Sequence, residues 1–199
     1  MIDDDPHSTS FDPSGLKDKT IRTRSQLVAA EARNIAKALR RYTLSRPSKR
    51  LAPFDFSWAL KLHRQMFDDV WEWAGQLREK DLNLGVNVHQ INEELYRLLD
   101  DRPHWHEFGW PPIEQAAELH YQAVRIHPFP NGNGRWSRLL ANIHLMQLNG
   151  SIVLWPAEVD DAVSPIRQEY VAALKAKDNG QSKPLLELHE QYHRDCLHG

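Results

Sequence analysis

The apolar positions of this chain recur at helical spacing over most of its length, and alternate in one short stretch. From Ser25, which suits a helix N-cap, to about Arg41, the residues Leu27, Ala30, Ile35, Ala38 and Leu39 form one apolar stripe. A second stripe, Leu60, His63, Phe67, Val70 and Trp71, predicts a helix over Phe56 to Trp73, with Gly75 as its stop. Further helices are predicted at about Gln90 to Leu99, Pro111 to Ile126, Asn133 to Leu148, Ser164 to Lys177 and Lys183 to Cys196. Pro111 and Pro112 suit a first helical turn, and Asn149-Gly150 suits a C-terminal stop. In DLNLGVNVHQ the period changes. Leu82, Leu84, Val86 and Val88 alternate with polar residues around Gly85, which predicts a short hairpin or extended flap, half-buried at most. SIVLWP reads as a short apolar connector. The expected fold class is all-α, mostly helical, with one short β-hairpin flap.

These elements suggest four parts. Residues 1–20 are rich in Asp, Ser, Pro and Gly and are expected to be a disordered tail. An N-terminal helix and linker follow at 21–51, then a core domain at 52–150 and a helical extension at 151–199. The basic run RRYTLSRPSKR (40–50) reads as a solvated connection, because no aromatic interleaving or basic domain surrounds it. The net charge of -2 on 199 residues gives no global pull toward nucleic acid or an anionic membrane, so neither is an expected partner. One cysteine, Cys196, fits a reducing compartment, and the acidic N-terminus lacks the parts of a signal peptide. No apolar run approaches membrane-spanning length, and the expected location is cytoplasmic.

The chemistry concentrates in HPFPNGNGRWSR, His127 to Arg138. Glycines at 132 and 134 permit a sharp turn and close approach of a ligand to the peptide N–H groups. The turn runs into the helix WSRLLANIHLM, whose free N–H groups and dipole make an anion site, most naturally for phosphate. Arg135 and Arg138, three apart, share one face near that helix start and suit a di- or triphosphate. Trp136, Leu139, Leu140 and Ile143 form the buried face. His127, at the end of the preceding helix, titrates near neutrality and can take a proton from an attacking hydroxyl. Together these groups describe transfer of a phosphorus-containing group. On spacing alone the alternative is an ordinary Gly-Asn turn before a helix, with a surface arginine pair.

The stretch resembles the signature of Fic domains, His-Pro-Phe-x-Asp/Glu-Gly-Asn-Gly-Arg-x-x-Arg: His127, Pro128, Phe129, Gly132, Asn133, Gly134, Arg135 and Arg138 all match. LHRQMFDDVWEWAGQLR (62–78) resembles the helix and Trp-Ala-Gly-x-x-Arg segment that precede the flap in Fic proteins. The resemblance covers about residues 52 to 150. Thr20 to Ile35, together with Asn131, resembles a Fic subgroup named mobile mystery protein B. The resemblance implies a protein adenylyltransferase. ATP is the co-substrate, with Mg²⁺ or Mn²⁺, and His127 deprotonates a Ser, Thr or Tyr hydroxyl of a target protein. The resemblance places Phe129, Asn131, Gly132, Asn133, Gly134, Arg135 and Arg138 at the nucleotide. It gives Asn133 and the loop amides the α- and β-phosphates, and Phe129 a place in the core. Arg135 takes the β- or γ-phosphate and Arg138 the γ-phosphate. The target protein docks on the flap, 80–89, and a small inhibitory partner is a further expected partner. A Fic-related kinase branch carries Lys where Gly134 stands, so Gly134 favours nucleotidyl over phosphoryl transfer.

Asn131 departs from the family pattern, in which an acid binds the metal. Its amide oxygen can ligate a hard cation but brings no charge, so weaker metal use is expected. The opposing reading is a nucleotide-binding pseudoenzyme acting as an interaction module. Many Fic proteins carry an inhibitory Ser/Thr-x-x-x-Glu-Gly/Asn helix whose Glu pairs the second Arg. No full match occurs here; Glu31 is the nearest candidate, with a solvated helix glutamate as the alternative. HEQYH, His189 to His193, matches the His-Glu-x-x-His of zinc hydrolases, but lacks an evident third ligand, and a solvated helical face is the favoured reading. His63, His89, His120 and His144 read as packing or surface residues. His104 and His106 fall in an expected loop with nothing to pair with.

Overall fold

A computed structural model describes residues 15–195. The expectations for residues 1–14, and for Cys196 and His198, lie outside the described residues. Seven α-helices and two short strands follow in order: α1 (Arg24–Thr43), α2 (Phe56–Phe67), α3 (Ile91–Glu107), α4 (Pro112–Ile126), α5 (Asn133–Asn149), β1 (Ser151–Val153), α6 (Pro165–Asp178), α7 (Lys183–Tyr192) and β2 (His193–Asp195). The fold is mostly helical, as the periodicity predicts.

Local chemistry sets most boundaries. Thr23, not Ser25, is the N-cap of α1. The Thr23 side chain accepts from the Gln26 N–H, and the Gln26 side chain returns to the Thr23 backbone, a reciprocal cap that Ser25 cannot make. Asp55 caps α2 by accepting the Trp58 N–H at 2.7 Å. α2 ends at Phe67, earlier than the apolar stripe suggests. Both Val70 and Trp71 donate backbone N–H groups to the Phe67 carbonyl, and this turn swings their side chains into the core. Trp71 bridges Leu16, which is buried, so residues 15–20 include an ordered anchor where a disordered tail is expected. Gly75 does not stop α2; it closes the following turn, where a Cβ would come within 2.8 Å of the Arg64 Cβ.

α3 runs to Glu107 through Pro103, so His104 and His106 are helical, and His104 pairs with Glu107 at 3.0 Å. Residues 81–88 alternate between exposed and half-buried, as expected, but form no hairpin. The strand pairing lies elsewhere. β1, inside the expected connector SIVLWP, pairs antiparallel with β2, where the last helix was expected to continue.

α4 and α5 form the central pair, with α2, α3 and α1 packed around one side and α7 and β1 on the other. The main core is built from α1 to α5 and joins Trp58, Phe67, Trp71, Phe129 and Trp136. α5 is buried on nearly every face. Its Asn142 is satisfied there by exchanging two hydrogen bonds with the Val153 backbone, at 2.9 and 3.0 Å.

Candidate active site

α4 ends where His127 adopts a left-handed backbone, φ 52°, at a position before proline that is ordinarily extended. The His127 carbonyl accepts from Arg78 Nε at 2.7 Å. The imidazole is 9% exposed, and its Nε2 has no partner. The other ring nitrogen therefore makes the hydrogen bond to the Val124 carbonyl, which assigns the proton to Nδ1 and the lone pair to Nε2. Burial pulls the imidazole down to about 4, the Arg78 cation adds to that, and the Val124 carbonyl opposes it. At neutral pH the ring is an uncharged proton acceptor.

Gly132 is the N-cap of α5, with φ 77°, and a Cβ there would strike the Phe67 ring at 2.5 Å. Gly134 lies within the first turn of α5, and a Cβ there would meet Arg138 Nη1 at 3.6 Å; its role is open space rather than a special turn. No side chain caps this helix, so its first N–H groups face the cleft as a positive end. The Asn133 side chain accepts the Phe129 N–H at 2.9 Å and donates to the Phe129 carbonyl at 2.8 Å. Only its backbone is left to meet a phosphate. Phe129 is fully buried, stacked on His63 at 3.6 Å, so it shapes the loop from behind and does not face a ligand. Asn131 Oδ1 accepts the Gly132 N–H at 2.6 Å.

Both arginines reach the same cleft, of about 1520 Å³, and each meets an acid from a different part of the chain. Arg135 pairs with Glu31 of α1 at 2.6 Å and lies over the Phe67 ring. Arg138 is buried. Its Nη2 donates to both oxygens of Asp160 at 2.6 Å, while Nη1 is buried without a partner, on the side of Gly134. Glu31 is not a solvated helix residue: it is 6% exposed and accepts Trp71 Nε1–H at 2.7 Å. It meets the first arginine, where the inhibitory glutamate of the resemblance meets the second.

Residues 53–145 match the Fic/DOC family model. The chain carries a Fic/DOC domain. It is 30% identical over 174 residues to the protein adenylyltransferase fic-1 of Caenorhabditis briggsae, covering 84% of this chain and 32% of that protein. It is 33% identical over 132 residues to the protein adenylyltransferase Fic of Drosophila virilis, covering 64% and 26%. The chain thus spans a quarter to a third of the length of the curated relatives it matches. Among solved structures it is similar to Caenorhabditis elegans Fic-1 (TM-score 0.71, 28% identity, 86% of this chain and 50% of that one). It shares its fold with the BepC protein of Bartonella tribocorum, solved with bound AMPPNP (TM-score 0.68, 22% identity, 92% and 94%).

The donor set of this Fic site does not fit a resident metal ion. Asn131 offers one neutral oxygen already shared with the Gly132 N–H, and no group of three His, Cys, Asp or Glu side chains converges among the described residues. The His-Glu-x-x-His stretch makes no zinc centre either. His189 is buried against His120 at 3.1 Å and bonds the Leu185 carbonyl, whereas His193 bonds Ser151 Oγ at 2.7 Å. A solvated face is therefore wrong for His189; it belongs to the interior of the C-terminal helices.

Three supporting residues carry no role in the sequence reading. His63 accepts the Gly75 N–H on Nδ1 at 2.9 Å, so its Nε2–H donates to the Asn131 carbonyl at 3.1 Å and fixes the Fic loop. Its place on the apolar stripe was the only signal. Asp160 and Tyr170, which face Arg138 from beyond residue 150, left no signal in spacing.

Proposed function

We propose that the chain transfers AMP from ATP to a hydroxyl of a target protein. One observation carries the reading: the unpartnered Nε2 of an uncharged His127 beside the uncapped start of α5. The triphosphate lies against the N–H groups of residues 133–135, with Arg135 and Arg138 on its β- and γ-phosphates. The target's Ser, Thr or Tyr lies along residues 80–89. Its hydroxyl proton passes to His127 Nε2 as its oxygen attacks the α-phosphorus. The bond to the bridging oxygen of the β-phosphate breaks, and pyrophosphate leaves. His127 then releases the proton to solvent. Any Mg²⁺ or Mn²⁺ would enter with the nucleotide, since the protein's own donor set does not fit a resident ion. The names of the relatives, protein adenylyltransferases, support the same activity.

A second reading is a nucleotide-binding module without transfer, favoured by the Asn131 oxygen turned onto its own loop. ATP labelled at the α- or at the γ-phosphate, incubated with the protein and a bacterial lysate, separates the readings. Label on protein from α-labelled ATP alone, lost in His127→Ala, is the expected result. Label from γ-labelled ATP alone makes the chain a kinase. Nucleotide binding without label from either supports the module.

A further inference from the structure

Arg78 is 4% exposed, yet its one ion-pair partner among the described residues, Asp81, stands 3.7 Å away and half in solvent. A guanidinium buried without a close carboxylate must satisfy its donors on neutral oxygens. It does so on three backbone carbonyls, each from a part of the chain that matters to the site. Nε donates to His127, Nη1 to Lys80 at 3.0 Å and Nη2 to Val86. The backbone N–H of Arg78 also donates to the Pro128 carbonyl at 2.9 Å. One residue thus grips the backbone of the base, the residue after it, and both legs of the 80–86 segment.

The grip explains two local features. His127 holds a left-handed backbone before a proline, which persists only where its surroundings over-determine it. Gly85, with φ 96°, rests on the root of the imidazole. A Cβ there would lie 2.6 Å from His127 Cβ and 2.9 Å from Arg78 Nη2. The carbonyls of Lys80 and Val86, which a hairpin would pair across the segment, are turned onto Arg78 instead. Val86 N–H completes the contact by donating to the Ile126 carbonyl at 3.4 Å.

We infer that Arg78 is a positioning residue that ties the docking segment 80–86 to the backbone of the base His127, so that seating a target strand and aiming Nε2 are one event. The inference rests on His127 being the base. Arg78 does not line the cleft that holds Arg135 and Arg138; it acts through the two elements it joins.

The test compares full-length Arg78→Lys and Arg78→Ala with the parent chain. Lysine keeps the charge and loses the three-way fork. Three measurements are made: amide hydrogen exchange over residues 80–88, ATP affinity by calorimetry, and labelling of lysate protein from α-labelled ATP. Both variants are expected to exchange at least about tenfold faster over 80–88. They should bind ATP within about threefold of the parent, and label about 100-fold more slowly. Guanidinium ion at millimolar concentration should restore part of the protection and rate to Arg78→Ala, and nothing to His127→Ala. Unchanged exchange in both variants overturns the inference, as does a loss of ATP affinity as large as the loss of labelling. A parent chain that transfers no label removes the proposed activity alone. The exchange and guanidinium arms then still decide whether Arg78 clamps the segment.

Discussion

Glu31 meets Arg135 at 2.6 Å, joining the first helix to the phosphate-binding loop across 104 residues of chain. If Arg135 takes a phosphate as proposed, the nucleotide would have to displace this buried carboxylate. Glu31→Gln keeps an oxygen for Trp71 Nε1 and removes the charge. Its ATP affinity and labelling rate are expected to rise about fivefold to tenfold, the usual span of a charged hydrogen bond exchanged for a neutral one. Equal affinity for ATP in parent and variant, measured by calorimetry, would count against competition at Arg135.

The base should work over a wide pH range. With the imidazole pulled down to about 4, His127 is uncharged through the neutral range. The labelling rate is therefore expected to show no acid limb from His127 between pH 8 and 6. A limb centred near 6.5 would count against a buried, uncharged ring.

Stability follows the opposite course. His63 and His144 are pulled to about 3 by burial, and His127 and His189 to about 4, against 6.5 in the unfolded chain. Their folded-state values are depressed, so the unfolded chain takes up protons first. Stability is full above about 6.5 and falls as pH drops toward the folded values. The slope is about 1.4 kcal/mol per pH unit for each fully depressed ring. Melting temperatures between pH 7.5 and 5 should fall steeply. His189→Leu also removes one of His120's two ring partners, leaving Tyr170, and is expected to lower stability by about 2 kcal/mol at pH 7.5. Denaturant titration at that pH reads it directly.

Asn131→Asp places a charged oxygen where a neutral one accepts the Gly132 N–H. The variant is expected to need several-fold less Mg²⁺ for half-maximal ATP binding, since a carboxylate holds a hard cation better than an amide. A Mg²⁺ titration of nucleotide binding with an identical midpoint in both proteins would show that position 131 does not meet the ion.

The parts of the site that depend on neighbours in sequence were legible. The turn at Gly132, the exposed start of α5 and the arginines three residues apart are local, and they stand where the motif puts them. Parts made by the chain's return were not. Arg138 finds Asp160 22 residues later, and no spacing rule joins an acid in VDDAV to a helix it has already left. The alternation of Leu82, Leu84, Val86 and Val88 reported burial correctly and pairing wrongly. Period two follows from an extended backbone, and Arg78 took the carbonyls that a hairpin needs. The same limit applies to α2, where helically spaced Val70 and Trp71 enter the core from a turn.

The two-stranded pairing of Ser151–Val153 with His193–Asp195 has a bearing on protein engineering. It fastens the end of α5 to the last stretch of described chain and encloses the turn that carries Asp160. A graft confined to residues 53–145 would transplant Arg138 without the carboxylate that orients it, and Asn142 without the backbone that satisfies it. The smallest transplantable unit of this site therefore runs from the first helix, for Glu31, through the second strand.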